Sequence, residues 1–214
     1  NPVRDGTTTT EPSEIPKAIT PYYESLYSYK PSDPVAMQIC LDTLRSGNRV
    51  QRPTATKCGA PISRNELEDI MNLLPTGKSP GPDCIPNKFY KVFSAKLAPI
   101  LAKVFQESKS RGSLPEGVGD GIITVLYKKL ERDDPRHYRP ITLLNSDYKI
   151  LMRVLTARMN EAVPQFVSDT QTGFVPDSFL PENTMLLNLI QAWAEDEEEE
   201  LYFLFLDMEK AFDR

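Results

Sequence analysis

The chain has 214 residues, 40% of them apolar, with 30 acidic against 25 basic side chains and a formal net charge of −5; that length suits one large or two small domains with a sizeable core. Its three cysteines, Cys40, Cys58 and Cys84, stand far apart without C-x-x-C spacing, so the sequence supports neither a disulfide framework nor a zinc site and fits a reducing, intracellular setting. It contains no signal peptide and no apolar stretch of about 18 residues, which argues against export and membrane spanning.

In chain order, Asn1 to Thr20 is rich in Thr and Pro and reads as a loose leader, with order expected from about Pro21. PYYESLYSY suits a short helix packed through its tyrosines, and residues 46–62 read as loop. Ser63-Arg64-Asn65-Glu66 has the form of a capping box, opening a helix through Leu67, Ile70, Met71 and Leu74 that should stop before Pro75. The stretch PTGKSPGPDCIP (residues 75–86) is too rich in Pro and Gly for helix or strand and carries Lys78 and Asp83 in a restrained turn. Phe89, Tyr90, Phe93, Leu97, Ile100, Leu101, Val104 and Phe105 recur at helical spacing, with Pro99 expected to divide the run and Gly112 to end it. Ile122 to Leu126 and YRPITLL read as two strands of a hairpin-like flap. Asn145 can cap a helix carrying Tyr148, Leu151, Leu155 and Met159, and another helix is expected over about 183–193.

The charge is unevenly spread: residues 1–60 sum to +1, residues 61–170 to +3 and residues 171–214 to −9. The acidic run Glu195 to Glu200 reads as a solvated loop. Because fields are screened within about 8 to 10 Å, the acidic whole-chain balance does not argue against a polyanionic partner. The flap concentrates Lys128, Lys129, Arg132, Arg136 and Arg139 within twelve residues, beside the one histidine, His137. Such a set suits phosphate, Arg as a bidentate fork and Lys as a mobile point charge, although surface clusters of this kind are common. Asp133-Asp134 reads as solvated.

Leu201 to Leu206 is a continuous apolar run that suits a strand buried on both faces and delivers Asp207 at its end. A carboxylate there is either a cap for the following turn, the commoner case, or a cation ligand.

Five segments in order, KSPGPDCIPNKFYK (78–91), GSLPEG with IITVLYKK (112–129), YRPITLLNSDYKILMRVLTARM (138–159), QTGFVPDS (171–178) and FLFLDMEKAFDR (203–214), resemble the reverse transcriptases of non-LTR retrotransposons of the long interspersed element type. The resemblance covers about residues 61–214 and implies an RNA-directed DNA polymerase that uses Mg²⁺, an RNA template, a DNA primer and dNTPs, with no membrane partner and a nuclear site of action. By that resemblance Asp207 is the first catalytic aspartate and a metal ligand, joined by the backbone carbonyl of Met208. Two Mg²⁺ ions about 3.5 to 4 Å apart would activate the primer hydroxyl and neutralise the triphosphate. Phe212 matches the aromatic under the incoming sugar. Arg139, with Lys128 or Lys129, matches the basic set that holds the triphosphate, and the turn of Lys78 and Asp83 matches a template contact.

The implied fold is α/β, an incomplete polymerase right hand of fingers and first palm strand behind a mostly helical amino-terminal extension. Its expected divisions are 1–60 as leader and extension, 61–111 as a helical region ahead of the fingers, and 112–214 as the polymerase domain, truncated after the first aspartate motif. The alternative is an inactive element product that at most binds nucleic acid. Cys84 stands where the family has Gly, awkward if the turn needs positive φ, and Asp177-Ser178 stand where it has Gly-Arg.

Overall fold

The structure is a computed structural model and describes residues 3–4, 7–45 and 49–208. It is a mixed α/β chain whose strands form two antiparallel two-stranded sheets among the described residues. It falls into two compact units, the first made of the residues through Pro31 together with Ile62–Val154, the second of Ser32–Pro61 with 155–208.

The first unit opens with the short pair β1 (Val3–Arg4) and β2 (Thr7–Thr8), followed by helix α1 (Ile15–Tyr27). The helix therefore starts ahead of the expected Pro21, inside the supposed leader. Ile15, Ile19, Tyr23 and Leu26 form an apolar stripe of helical period that continues back through residue 15. Pro16 sits in the first turn, where its missing N–H costs nothing, and Pro21 is carried inside the helix.

Helix α4 (Arg64–Asn72) begins on the capping box read from the sequence: Ser63 Oγ accepts from the Glu66 N–H at 3.3 Å, and the Glu66 carboxylate accepts from the Ser63 N–H at 2.9 Å. It ends before Pro75, as expected. Helices α5 (Asn87–Val92) and α6 (Ser94–Arg111) divide at Phe93 and not at Pro99, which lies inside α6. One lost hydrogen bond at Pro99 is tolerated because Leu97, Ala98, Leu101 and Phe105 around it are held in the core. Gly112 ends α6 in the left-handed region at φ 72°. The core comprises Leu67, Met71 and Leu74 from the α4 region, Tyr90, Ala98 and Phe105 from α5 and α6, and Ile150, Leu151 and Val154 from α7 (Ser146–Ala162).

The expected flap is present as β3 (Gly121–Tyr127) paired with β4 (Tyr138–Leu144), in a register running from Gly121↔Leu144 to Tyr127↔Tyr138. Val125 on one face packs against Ile19, Tyr23 and Leu26 of α1. An apolar cleft of about 430 Å³ lies between Ile15, Ile19, Tyr23 and Tyr27 of that helix and Ile123 and Val125 of β3.

In the second unit, α2 (Pro34–Arg45) and α3 (Arg52–Gly59) precede the end of α7 and helix α8 (Pro181–Asp196). Helix α3 occupies residues read from the sequence as loop. It buries no side chain of its own and is held by remote partners. The buried guanidinium of Arg158 donates to the carbonyls of Cys58 (3.1 Å), Ala60 (2.5 Å) and Pro61 (2.9 Å), satisfying two acceptors at the helix end and one just past it. Gln165 bonds Gln51 N–H and Thr54 Oγ1, and Lys57 pairs with Glu161.

The expected strand over Leu201 to Leu206 does not form. Residues 201–208 have no regular secondary structure and are exposed. An extended apolar run becomes a strand only against a partner, and none lies beside it among the described residues.

Candidate nucleotide and nucleic-acid site

The flap loop between β3 and β4 is built by its own side chains. Tyr127 Oη donates to the Leu130 carbonyl at 2.6 Å and Tyr138 Oη to that of Arg132 at 2.7 Å, while the two rings meet edge to face at 5.8 Å. The Arg132 guanidinium lies 4.4 Å above the Tyr127 ring, a cation–π contact. Asp134 is more than solvated: it caps the 3₁₀ turn Pro135–His137, accepting from Arg136 N–H at 2.8 Å and Arg136 Nε at 2.8 Å. Those hydrogen bonds from Arg136 hold its carboxyl below the usual range, with His137 a smaller contributor. His137 is a loop residue, its Nδ1 2.8 Å from the Glu131 carbonyl oxygen.

The loop thus uses Arg132 and Arg136 internally and leaves Lys128, Lys129 and Arg139 exposed, with no side-chain partner among the described residues. Arg139 lies directly opposite Leu126, and the ladder continues one step further through Lys128 N–H to the His137 carbonyl at 2.9 Å. Strand alternation sets Lys128 on the face of Leu126 and Arg139, away from the face on which Val125 packs against α1. Two cations of different geometry therefore share the open side of one hairpin, an arrangement suited to a polyphosphate.

The Lys78–Asp83 turn is a second structured piece of the first unit. Asp83 Oδ1 accepts from the Ile85 N–H at 2.9 Å, and the Cys84 N–H donates to the Gly81 carbonyl at 3.0 Å. Cys84 has φ 58°, the left-handed conformation that the Gly expected there would adopt freely. Lys78 is exposed without a side-chain partner among the described residues. Asn145 does not cap α7 with its side chain. Its Oδ1 accepts from the Asp83 N–H at 3.1 Å and its Nδ2 donates to the Gly117 carbonyl at 3.0 Å. Neighbouring Ser146 Oγ lies 3.0 Å from the Ile85 carbonyl oxygen and 2.9 Å from Asn87 Oδ1, and Asn87 Nδ2 donates to Pro75. Sequence reasoning missed this joint; its signal was the dipeptide Asn145-Ser146 at a strand end, read only as a local cap. Nearby, burial and the Asp83 carboxylate raise the half-buried Asp147 above its ordinary value, and burial with Asp147 and Asp83 pushes the Tyr90 phenol up to about 12.

Asp207 and Met208 are exposed at the end of the irregular apolar segment, and Phe212 lies outside the described residues. No three His, Cys, Asp or Glu side chains converge among the described residues, so those residues do not make a metal centre. No described helix is long and apolar enough to cross a membrane.

Residues 127–214, from the tip of the flap through Asp207, match the family described as reverse transcriptase (RNA-dependent DNA polymerase). The chain is 30% identical over 210 residues to the transposon TX1 uncharacterized 149 kDa protein of Xenopus laevis, covering 98% of this chain and 16% of that protein. It is 28% identical over 182 residues to the probable RNA-directed DNA polymerase from transposon BS of Drosophila melanogaster, 83% of this chain and 19% of the relative. Residues 127–214 thus carry the reverse-transcriptase match, and over most of its length the chain is similar to transposon proteins, one of them named a probable RNA-directed DNA polymerase. The RNA-directed DNA polymerase from mobile element jockey of the same fly is 29% identical over 164 residues, 72% of this chain and 18% of the relative. The chain thus spans less than a fifth of the length of each of these relatives.

Proposed function

We propose that this chain is the fingers and the start of the palm of an RNA-directed DNA polymerase. In this reading β3 and β4 hold the incoming dNTP, the Lys78–Asp83 turn meets the RNA template, and Asp207 with the Met208 carbonyl contributes to a divalent-metal site, Mg²⁺ by preference of hard oxygen ligands. Phe212 would sit under the sugar. The observation that supports it is the exposed trio Lys128, Lys129 and Arg139 on a hairpin whose other cations are occupied.

In the chemistry, Arg139 forks two phosphate oxygens and Lys128 adds charge beside it, orienting the α-phosphorus for attack by the primer 3′-hydroxyl. The aromatic-pinned loop keeps both from spending binding energy on ordering. When bound, the metal would supply charge neutralisation. One carboxylate and one carbonyl cannot hold two such ions, so the 214-residue chain alone is expected not to polymerise.

The test is dNTP binding to the chain by calorimetry or fluorescence, with Arg139→Ala and Lys128→Ala. A charge-assisted fork is worth about 1.5 to 3 kcal/mol, so Arg139→Ala should weaken binding roughly tenfold or more. Equal affinity for wild type and Arg139→Ala would remove the triphosphate role. Primer extension by the pure chain, lost in Asp207→Ala, would show that the carboxylates described here suffice for catalysis.

A further inference from the structure

Three separate pieces of the first unit meet at the dipeptide that follows β4. The Asn145 amide takes the Asp83 N–H on its oxygen and the Gly117 carbonyl on its nitrogen, so one side chain ties the Lys78–Asp83 turn and the lead-in to β3 to the end of β4. Ser146 holds the chain two residues further on, through the Ile85 carbonyl, and is completely buried. The approach is so close that a Cβ on Gly81 would lie 2.4 Å from both Asn145 N and Asn145 Oδ1. Asn145 and Asn87 are buried with them, and the side-chain hydrogen bonds of Asn145 and Ser146 all reach other segments, while Asn87 closes the base of the turn on the Pro75 carbonyl.

A cap would need only one of these bonds, to its own helix. The joint instead spends the amide on fixing a polar turn that has few other supports: Lys78, Pro82, Asp83 and Cys84 are all exposed, and Cys84 stands in a strained conformation. Beyond the joint, the turn is held by its internal bonds and by Ile85, which packs against the core.

We infer that Asn145 and Ser146 are positioning residues that fix the Lys78–Asp83 turn in one place against the fingers strand, so that template contact and nucleotide contact are made from a single frame. This rests on the template role proposed for the turn. The pair touches neither template nor nucleotide and acts through the turn. Arg139 lies at the other end of β4 from Asn145 and is held by its own ladder, so loosening the joint should move the turn and leave the triphosphate contacts alone.

The test uses the 214-residue chain with two probes, a single-stranded RNA oligonucleotide and a dNTP, and a double-mutant cycle. Lys78→Ala should weaken RNA binding by about fivefold and lower its salt dependence by about one ion. Asn145→Ala should weaken RNA binding to a similar degree, leave dNTP affinity unchanged, and make Lys78→Ala silent when the two are combined. If Asn145→Ala does not fold by circular dichroism, Ser146→Ala, a smaller truncation of the same joint, replaces it with the same expectation. Losses that multiply in the double variant, or dNTP affinity falling together with RNA affinity, would overturn the positioning role while leaving the template reading intact. If Lys78→Ala and Asp83→Ala are both silent in the wild-type background, the template reading fails and the positioning role fails with it.

Discussion

The β3–β4 hairpin and the Leu201–Leu206 segment carry the same signal, a short apolar run that ends at charged residues, yet only the hairpin is sheet. The hairpin's two runs are separated by a loop of ten residues, which closes on its own tyrosines, and Val125 on one face packs against α1. LYFLFL has neither a paired edge nor a covered face among the described residues. Strand formation is therefore a property of the pair, and an apolar run read alone reports only that it would accept a partner.

If the hairpin region owes its order to a tight joint as well as to pairing, breaking the joint should cost far more than altering the tail. Gly81→Ala is the sharpest such break, because the new Cβ would meet backbone at 2.4 Å and backbone cannot rotate away. We expect a loss of about 2 to 3 kcal/mol, read as a lowered denaturant midpoint at constant slope. Gly119→Ala, where nothing lies within 4 Å of the added Cβ, serves as control and should stay within about 0.5 kcal/mol. Similar midpoints for the two variants would show that the joint yields freely.

What the sequence made legible follows the same division. The capping box at Ser63, the left-handed stop at Gly112 and the two flap strands each depend on residues within about a turn or a loop of one another, and all three are found as read. Helix α3 was illegible because its supports, Arg158, Glu161 and Gln165, lie about a hundred residues away. The start of α1 was hidden by two prolines that its apolar stripe outweighs. At the candidate site, which cations lack a side-chain partner could not be read from composition: all five are exposed, and only the structure separates Lys128, Lys129 and Arg139 from Arg132 and Arg136, which the loop engages.

A smaller effect of opposite sign is expected at Cys84. At φ 58° its Cβ crowds the backbone, a strain of about 1 to 2 kcal/mol for an ordinary residue, partly offset in Gly by greater freedom of the unfolded chain. Cys84→Gly should therefore stabilise the chain by about 0.5 to 1 kcal/mol, visible as a higher melting temperature. A drop in melting temperature would mean that the Cys84 side chain makes a contribution larger than the strain it carries.

Asp147 gives a pH-dependent version of the same question. Burial, with Asp83 nearby, raises its folded-state pKa, which outweighs the hydrogen bond it accepts from the Tyr148 N–H at 2.7 Å. A raised carboxyl binds its proton more tightly in the folded chain. Its contribution to stability is thus fully present below the ordinary carboxyl value and is lost as pH rises through the folded value. Asp147→Asn keeps an acceptor for Tyr148 and removes the charge, so it should raise the melting temperature by a degree or two at about pH 7, and the gain should vanish near pH 3. A gain independent of pH would assign the effect to something other than ionisation.

The smallest effect belongs to the tail, where it tests the comparison most directly. Leu204 and Leu206 are more than four-fifths exposed, so Leu204→Asp removes almost no buried area and should change global stability by less than about 0.5 kcal/mol. Its consequence should be on association: an exposed apolar run of high strand propensity is a template for pairing with another copy, and a charge in its middle opposes that. We expect Leu204→Asp to raise solubility and reduce concentration-dependent scattering while leaving the unfolding midpoint in place. Hydrogen exchange supplies the decisive reading, because unpaired amides over residues 201–207 should exchange without protection in the monomer, whereas those of β3 and β4 should be slowed by their ladder. Strong protection over 201–207 in a monomer, lost in Leu204→Asp together with a lowered midpoint, would mean that this run does find a strand partner, and that it differs from the hairpin only in how far along the chain that partner lies.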